Sequence, residues 1–429
     1  MTLYDILLRS LSAMERGKDI FCSYSGNVDW VIPVEKERFL YFQKSMHHWP
    51  KTFTNSLHQP ALRTMEDLIN YVTYFLHMNC GGEGDLLNTE LVSTVMETLP
   101  GYFAIGGTGA QAANYLSHAG YTNIYLHLPI FTSYFKDLLS PTIHIFENND
   151  YYENRMGKDI YSLSEIHCII DFAIGAAYQI ADDILHTTRP DRVILSHDRC
   201  NSSLHISESF VEELNKPHPF ISFLISGFNT LRNIGDLHHF ARENENIIHR
   251  YRQAHPGNRS IHVEEGDHWE REEERRSIVF NSMYPLVDSI GMNEKEFSSI
   301  MSYHNFSASE PFSGLYGLIH RYGLKRVNVH TSQSCYVVSS YPVEQELLAI
   351  GLGILLSSAR AYYGTFVEVD KLEQLIKETK SLSTSRTIPP AQKMSNGYYS
   401  LTIPTLQGMK IVSSLGLGDA FTAGVMAYL

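Results

Sequence analysis

A short glycine turn near the C-terminus carries the clearest chemical signal in the sequence. Gly416-Leu417-Gly418-Asp419 stands between a strand-like apolar run and a helix of small residues. The two glycines permit a tight turn, so several N–H groups can converge at the start of the helix and bind phosphate. Asp419 would then be a carboxylate beside a phosphate, although aspartate at a helix start is also an ordinary cap. The turn is not a P-loop, because no Gly-Lys-Ser/Thr follows it.

A second glycine turn has two interpretations. The segment GGTGAQA (106–112) follows a predicted strand and precedes a predicted helix, and its Gly107-x-Gly109-x-x-Ala112 spacing matches the dinucleotide fingerprint. That fingerprint expects an acidic residue about 20 positions later, at the end of the next strand. The next strand reads NIYLHLPIF and has no acid. A nicotinamide-dependent oxidoreductase is therefore an alternative, and a tight turn that packs a helix on a strand is the plainer explanation.

Asn27 and Asp29 come directly after the Ser-Gly turn through which the first predicted strand, in the segment 20–32, leaves the sheet. Residues two apart in an extended segment point to the same side. An amide beside a carboxylate suits the vicinal hydroxyl groups of a sugar. A simple Asx turn leaving the strand is an equally common reason for these residue types.

Potential metal ligands follow two later strands. His262 and Glu264 end one strand, and Asn293 and Glu296 begin the helix after the next strand. Each pair alone is weak evidence for a metal site, since glutamate in the first turn of a helix often only compensates the helix dipole. Together they place oxygen ligands at the ends of consecutive strands. Mg²⁺ prefers one or two carboxylates plus water and phosphate oxygens, which this arrangement could supply.

The elements that must position these residues alternate between strands and amphipathic helices. Such alternation predicts a parallel sheet covered by helices on both faces, with ligands beyond the carboxyl ends of its strands. Less regular stretches interrupt the alternation. We therefore predict a large α/β nucleotide-binding domain formed by residues 1–32, 101–140 and 200–429, and a discontinuous lid domain that binds substrate, formed by 33–100 and 141–199.

The composition argues against a nucleic-acid-binding protein and against a membrane protein. The chain has 429 residues, with 34 Lys and Arg against 47 Asp and Glu, and its formal net charge of −13 argues against a nucleic-acid-binding protein. Five cysteines, an odd number, favour free thiols in a reducing compartment. No apolar run approaches the roughly 18 residues of a membrane span, and the start has no signal-peptide pattern. We expect a cytoplasmic protein that binds small molecules. The oligomeric state does not follow from the sequence.

Taken in order, the motifs resemble the ADP-dependent glucokinase/phosphofructokinase family of the ribokinase-like superfamily. The matching segments are GNVD, GGTGAQAANYL, LISGFNTLR, IHVEEG, YPLVDSIGMNEKE, RVNVHTS and SLGLGDAFTAG, across nearly the whole chain. The resemblance implies a ribokinase-like three-layer αβα sandwich with a mainly parallel sheet, plus a smaller α+β lid domain. It also implies a Mg²⁺-requiring enzyme of carbohydrate metabolism. This enzyme would transfer the β-phosphoryl group of ADP to glucose, fructose 6-phosphate or another sugar, giving AMP.

The resemblance assigns roles to individual residues. Asp419 would be the general base, and the backbone N–H groups of Gly416, Leu417 and Gly418 would form an anion hole. The other implied contacts are Asn27, Asp29, Gly106, Gly107 and Thr108 with the sugar; His262, Glu264, Asn293 and Glu296 around Mg²⁺ and the phosphates; His330 and Ile403-Pro404-Thr405 with adenine; and Arg192 as a lid arginine that reaches the phosphates.

Three features depart from the family pattern. Thr108 stands where the family usually has glutamine, and the chain ends ten residues after Asp419, earlier than usual. The acidic lid residue that favours glucose has no clear match, and Glu97 is the candidate. The departures leave a second alternative to the kinase, namely a catalytically silent sugar- or nucleotide-binding regulator on the same fold.

Overall fold

Strands and helices alternate along most of the chain, as the sequence pattern predicts. The computed structural model describes residues 1–34, 61–157, 165–172, 177–180, 183–187, 191–231, 233–257, 259–266, 273–307 and 310–429. None of the described helices combines the length and the apolar character that a membrane span requires.

The described strands, in chain order, are β1 (Asp19–Ser23), β2 (Asn27–Val34), β3 (Ala61–Leu62), β4 (Gly82–Leu86), β5 (Tyr102–Gly106), β6 (Ile124–His127), β7 (His144–Phe146), β8 (Ile166–Phe172), β9 (Ala177–Ile180), β10 (Asp183–His186), β11 (Asp191–His197), β12 (Ile221–Ile225), β13 (Arg259–Glu264), β14 (Ser289–Asn293), β15 (Arg326–His330), β16 (Ser334–Ser339), β17 (Gln392–Lys393) and β18 (Tyr399–Pro404).

The described helices are α1 (Leu3–Ser12), α2 (Met65–Met78), α3 (Thr89–Thr98), α4 (Thr108–His118), α5 (Ser133–Leu138), α6 (Asn149–Met156), α7 (Glu208–Leu214), α8 (Ile234–Ala254), α9 (Glu273–Ser282), α10 (Glu294–His304), α11 (Pro311–Tyr322), α12 (Val343–Tyr363), α13 (Val369–Glu378), α14 (Lys380–Thr384) and α15 (Leu417–Met426).

The larger sheet has ten described strands in the order β17-β18-β16-β15-β14-β13-β12-β1-β6-β7. Neighbouring strands are parallel from β15 to β7, and β16, β17 and β18 add an antiparallel edge. The carboxyl ends of the parallel strands therefore share one edge of the sheet, which is where ligands bind in open α/β sheets.

Helices cover both faces of this sheet, and the sequence of β1 shows why. Ile20 and Cys22 enter the core formed with α1, α4, α12, α13 and α15, whereas Phe21 enters the core formed with α7 to α11. A strand buried on both faces is apolar on both sides, which explains the apolar centre of β1 at Ile20, Phe21 and Cys22. This three-layer arrangement confirms the predicted α/β class.

The smaller sheet has six described strands in the order β3-β4-β11-β8-β2-β5, with mixed directions, and β9 and β10 form a separate hairpin. The run 20–32 is therefore two strands, because β1 and β2 belong to different sheets. The chain changes sheets at Ser23–Asn27 and Gly106–Thr108, rather than at the predicted boundaries of 32 and 101. The strands on both sides of the first crossing, β1 and β2, are rich in apolar residues, so composition does not mark the change. The two-domain division stays a prediction, and residues 35–60 of the predicted lid lie outside the described residues.

Two glycines bring α15 against α12 at backbone distance. A Cβ added to Gly424 would lie closer than 3.0 Å to backbone atoms of Gly353 and Leu352. The close approach leaves no room for side chains between the helices, so it fixes α15 relative to the large sheet. Since α15 begins at the Gly416–Asp419 turn, this contact also positions that turn.

We predict that Gly424→Ala destabilises the protein by about 1–3 kcal/mol, because the new methyl group meets backbone atoms that cannot rotate away. Thermal unfolding is the measurement. Gly17→Ala is the matched control, since a Cβ at Gly17 meets no atom within 4 Å. Equal unfolding temperatures for Gly424→Ala and the wild type would contradict the close packing.

Candidate active site

A cleft of about 850 Å³ lies where the chain changes sheets. Its walls come from both sheets, with Asn27 and Asp29 from β2 on one side and Gly416 and Asp419 from the start of α15 on the other. The structure thus brings the first and last predicted motifs, almost 400 residues apart in sequence, into one cavity.

The turn before α15 is capped by a glycine and presents backbone N–H groups at the start of the helix. Gly416 has a φ of 68°, a left-handed conformation that favours glycine, and no described side chain caps the helix. The first backbone hydrogen bond of α15 runs from Ala420 N–H to the Gly416 carbonyl at 3.0 Å. The N–H groups of Leu417 and Gly418 precede it and have no partner within the helix. The interpretation of Asp419 as a mere cap is wrong, because Gly416 occupies the cap position.

Asp419 lies partly exposed in the cleft, in the first turn of α15. Burial raises the pKa of Asp419, and the nearby Glu264 carboxylate raises it further. A hydrogen bond with Thr108 and the charge of Arg192 oppose this rise in pKa. A carboxylate whose pKa is raised toward neutrality is a better general base than an ordinary aspartate. Thr108, which departs from the family pattern, therefore contacts the predicted base directly.

Asn27 and Asp29 point to the same side of β2, as predicted. Asn27 Nδ2 donates to Asp29 Oδ1 at 2.6 Å, and both side chains are buried. Burial raises the pKa of Asp29 to about 6, although His167 and Arg192 favour its charged form. Gly106 lies opposite Asn27 in the antiparallel pair, and a Cβ on Gly106 would collide with both polar side chains. Gly106 is thus required by the close approach of β5 to this pair.

A polar row that the sequence analysis missed continues from Asp29 across the smaller sheet. His167 is the direct neighbour of Asp29 on β8, and Ser196 is the neighbour of His167 on β11. His167 Nε2 lies 2.7 Å from Asp198 Oδ1. Burial disfavours the charged imidazole, but Asp198 raises the pKa of His167 to about 9, so the ring is protonated at neutral pH. The alternation in IHCIIDF was the available signal, and the irregularity of the flanking sequence obscured it.

Behind this row, a buried glutamate organises the end of β11. Glu165 accepts hydrogen bonds from the N–H groups of Arg199, Cys200 and Asn201 at 2.7, 2.5 and 3.0 Å. Burial and the charge of Asp198 raise the pKa of Glu165. The same turn reaches the other sheet crossing, because Asn201 Nδ2 donates to the Gly26 carbonyl at 3.1 Å.

Arg192 lies in the cleft, and its role as a lid arginine stays a prediction. Its Nη1 donates to the Ser414 carbonyl at 3.1 Å, and Arg360 Nε donates to the next carbonyl, that of Leu415, at 2.9 Å. Two guanidinium groups thus hold the segment that leads into the anion hole, and their charge favours an anionic ligand there.

His262 and Glu264 are close together at the end of β13. His262 Nδ1 lies 2.8 Å from Ser289 Oγ and Nε2 lies 3.1 Å from Glu264 Oε2, and burial lowers the pKa of His262 well below its usual range. Both ring nitrogens are therefore occupied, so His262 orients Glu264 and leaves no nitrogen for a metal ion. Burial raises the pKa of Glu264, while His330 and a hydrogen bond with Thr422 of α15 oppose that rise.

Other predicted residues have mainly structural surroundings. Asn293 and Glu296 form a reciprocal capping box at the start of α10, with Asn293 Nδ2 donating to Glu296 Oε1 at 2.7 Å. Ile403 has a fully buried side chain in the core, so only its backbone could contact adenine. His330 packs its ring against Phe421, with centroids 5.0 Å apart. Glu97 is exposed on α3, and Glu83 of β4 lines the cleft instead.

The structure contradicts the dinucleotide interpretation of GGTGAQA. That fingerprint lies in a strand–helix–strand unit whose two strands belong to one parallel sheet. Here β5 belongs to the smaller sheet and β6 to the larger one. Gly107 has a φ of 81°, and a Cβ there would collide with the backbone at Gly26, so these glycines serve the crossing between sheets.

We predict that Asp29→Asn stabilises the protein by about 1–3 kcal/mol at pH 7.5, because it removes a carboxylate that ionises near pH 6 in the fold and near pH 4 when unfolded. A raised native pKa makes wild-type stability fall as pH rises from about 4 to about 6, so the advantage of the variant should shrink over that range as pH is lowered. Urea unfolding of both proteins between pH 4 and 7.5 measures the difference in their free energies of unfolding. A difference that does not change with pH would contradict the burial of charge at Asp29.

Comparison with known proteins identifies the family. Residues 18–428 match the ADP-specific Phosphofructokinase/Glucokinase conserved region. The ADP-specific phosphofructokinase of Thermococcus litoralis is 25% identical over 302 residues, which are 61% of this chain and 62% of that enzyme, just under two thirds of its length. The enzyme of the same name from Thermococcus zilligii is 21% identical over 98% of this chain and 97% of its own.

A solved structure shares the fold. It is an ADP-dependent kinase in complex with fructose-6-phosphate and ADPbetaS, with a TM-score of 0.71 and 18% identity, and the alignment covers 99% of this chain and 96% of that one. The predicted fold class and the predicted enzyme class, a phosphotransferase with an alcohol acceptor, are confirmed at the level of the family. The match over nearly the whole chain shows that this protein belongs to the ADP-specific phosphofructokinase/glucokinase family.

Proposed function

We propose that this protein transfers the β-phosphoryl group of ADP to a hydroxyl group of a sugar or sugar phosphate and releases AMP. One observation carries the proposal. Asp419 lies beside an uncapped helix N-terminus and in the same cleft as the Asn27–Asp29 pair. A base, an anion-binding turn and a hydroxyl-binding pair are the parts that phosphoryl transfer to an alcohol needs.

In the proposed reaction, the acceptor hydroxyl oxygen attacks the β-phosphorus of ADP while the bond from that phosphorus to the bridging oxygen breaks. The bridging oxygen leaves with AMP, and the hydroxyl proton passes to Asp419. The N–H groups of Leu417 and Gly418 stabilise the charge on the transferring group. Arg192 and Arg360 hold the preceding segment, so the donors are in place before the substrate arrives.

The described residues fit a magnesium ion that keeps most of its water. Among them, no group of three or more His, Cys, Asp or Glu could hold a metal ion. Mg²⁺ needs no such cage, since it commonly binds one or two carboxylates together with substrate phosphates. Glu264 is the best-placed carboxylate, because it is buried beside Asp419 and hydrogen-bonded to α15. When bound, the ion would neutralise phosphate charge.

The smaller sheet would act as the lid. It contributes Asp29, His167 and Arg192 to the cleft, and the larger sheet contributes Asp419 through α15. Closure of the smaller sheet over the larger one would bring the two sets together and exclude water, which limits hydrolysis of ADP. The predicted two-domain division supports this proposal, as does the position of the cleft at the sheet crossings.

The groups that line the cleft suit a sugar as the acceptor of the phosphoryl group. The row of Asn27, Asp29 and His167 provides both hydrogen-bond donors and acceptors, as sugar hydroxyl groups require. Fructose 6-phosphate and glucose are the first acceptors to test, because the family contains enzymes for both. AMP release with Mg²⁺, ADP and a panel of sugars and sugar phosphates decides between them. ADP binding without turnover of any acceptor would favour the silent regulator instead.

We predict that Asp419→Asn lowers kcat by roughly 10²–10⁴, since asparagine cannot accept the proton. The affinity for ADP should fall little or rise, because a negative charge beside the phosphates is removed. Single-turnover AMP release and calorimetric titration of ADP measure the two effects. Near-normal kcat in Asp419→Asn would overturn the assignment of the base.

We also predict that removal of divalent cations abolishes AMP release and that Mg²⁺ restores it. Glu264→Gln should raise the Mg²⁺ concentration needed for half-maximal activity. Glu294→Gln is the matched control, since Glu294 is an exposed carboxylate in the first turn of α10, whereas Glu264 is buried. Identical Mg²⁺ requirements for both variants would argue against Glu264 as the metal-facing carboxylate.

A further inference from the structure

Gln111 is a polar side chain in an otherwise apolar stretch of α4. Its neighbours along the helix are Gly109, Ala110, Ala112 and Ala113, all buried. Gln111 is only 6% exposed, yet it lines the cleft, one helical turn after Thr108. None of the proposed steps above uses it.

The carboxamide of Gln111 packs directly against the anion hole. A Cβ added to Gly416 would lie closer than 3.0 Å to Gln111 Oε1 and 3.2 Å from Nε2. The amide therefore occupies the space that a side chain at position 416 would fill. Gly416 is the N-cap of α15, and the N–H groups of the first turn of the helix follow it.

The amide oxygen of Gln111 is buried and has no hydrogen-bond partner among the described residues. Leaving a buried polar atom unpaired costs about 1–3 kcal/mol, and such atoms in a native protein call for a ligand or a function. No hydrogen bond holds the oxygen in place, so a half-turn about χ3, which exchanges it with the NH₂ group, breaks no hydrogen bond of the oxygen.

The surroundings of the amide favour an anion. The N-termini of α4 and α15 both lie here, since Thr108 begins α4 and Leu417 begins α15. Each terminus carries a partial positive charge and unpaired N–H groups. An NH₂ group that points into this region adds a donor to those of the backbone.

We propose that Gln111 is a catalytic residue whose Nε2–H group donates a hydrogen bond to a non-bridging oxygen of the transferring phosphoryl group. This inference rests on the proposed kinase function and deepens it, because it adds a side-chain donor to the backbone anion hole. Two other roles would fit the same position. Oε1 could accept a hydrogen bond from a sugar hydroxyl group, or the side chain could only fill space beside Gly416.

Three variants separate these roles. Gln111→Leu removes the donor and keeps the bulk, and we expect kcat to fall roughly 10²-fold, as for loss of one oxyanion-hole donor. Gln111→Glu keeps an accepting oxygen but places a negative charge beside the phosphoryl group, and we expect a larger fall than for leucine. Gln345→Leu is the matched control. The amide of Gln345 donates to the Tyr428 carbonyl at 2.6 Å, and it is not among the described residues that line the cleft.

Gln111→Leu should lose activity but not stability, whereas Gln345→Leu should lose stability but not activity. Gln111→Leu removes an unpaired polar atom, so its unfolding temperature should equal or exceed that of the wild type. Gln345→Leu removes a satisfied hydrogen bond, so its unfolding temperature should fall while its kcat stays unchanged. A space-filling role for Gln111 would leave kcat unchanged in both variants, and a sugar-accepting role would make Gln111→Glu more active than Gln111→Leu. Either result would overturn the proposal.

Calorimetric titration of ADP distinguishes failure of this inference from failure of the kinase function. If the wild type releases no AMP with any acceptor, the kinase function fails, but the titration still tests Gln111. The affinity for ADP should fall in the order wild type, Gln111→Leu, Gln111→Glu, with a loss of at least about tenfold for the charged variant. Equal ADP affinities in all three proteins would contradict a contact between Gln111 and the phosphate.

Discussion

Close backbone approach at the sheet crossings is the constraint on which the whole site depends. The chain passes from the larger sheet to the smaller one at Ser23–Asn27 and returns at Gly106–Thr108. At the return, Gly107 fits only because it has no Cβ to meet the backbone at Gly26. A later passage, after β11, is tied to the first by the hydrogen bond from Asn201 to the Gly26 carbonyl. Since residues of these three passages line the cleft, any side chain that separated them would displace both walls of the site.

Burial of charge in and beside the cleft explains its electrostatics. The pKa values of Asp29, Asp419 and Glu264 are all raised, in each case mainly by burial. Helix N-termini and guanidinium groups supply the opposing positive potential without adding a free base. The proposed nucleotide and divalent ion would suit such a site, because the ion would offset the buried negative charge.

The smaller sheet contributes polar side chains to one wall of the cleft. The in-register row of Asp29, His167 and Ser196 places polar groups on adjacent strands at one level of the sheet. Asp198 holds His167 charged, and Glu165 holds the turn that carries Asp198. A row built from three strands has fixed spacing, so it holds its polar groups more rigidly than loops could.

The sequence by itself determined the parts that are local. The glycine turn with Asp419, the Asn27–Asp29 pair and the strand–helix alternation all follow from neighbouring residues, and each lies where the pattern predicted. The family followed from the order of such motifs. Local patterns were misleading where one motif suits two structures. Asn293 and Glu296 satisfy a capping box as fully as a metal site, and the apolar residues of both β1 and β2 made the run 20–32 resemble one strand.

Tertiary structure decided everything that depends on distant segments meeting. Glu83 lines the cleft and Glu97 does not, because the direction of each side chain depends on how β4 and α3 pack. His167 acquires its charge from Asp198, 31 residues away, and Gln111 meets Gly416 across more than 300 residues. Burial, pKa and unpaired polar atoms arise from the surroundings of a side chain in space. A linear pattern specifies which groups are available, and only the packed fold specifies what each of them faces.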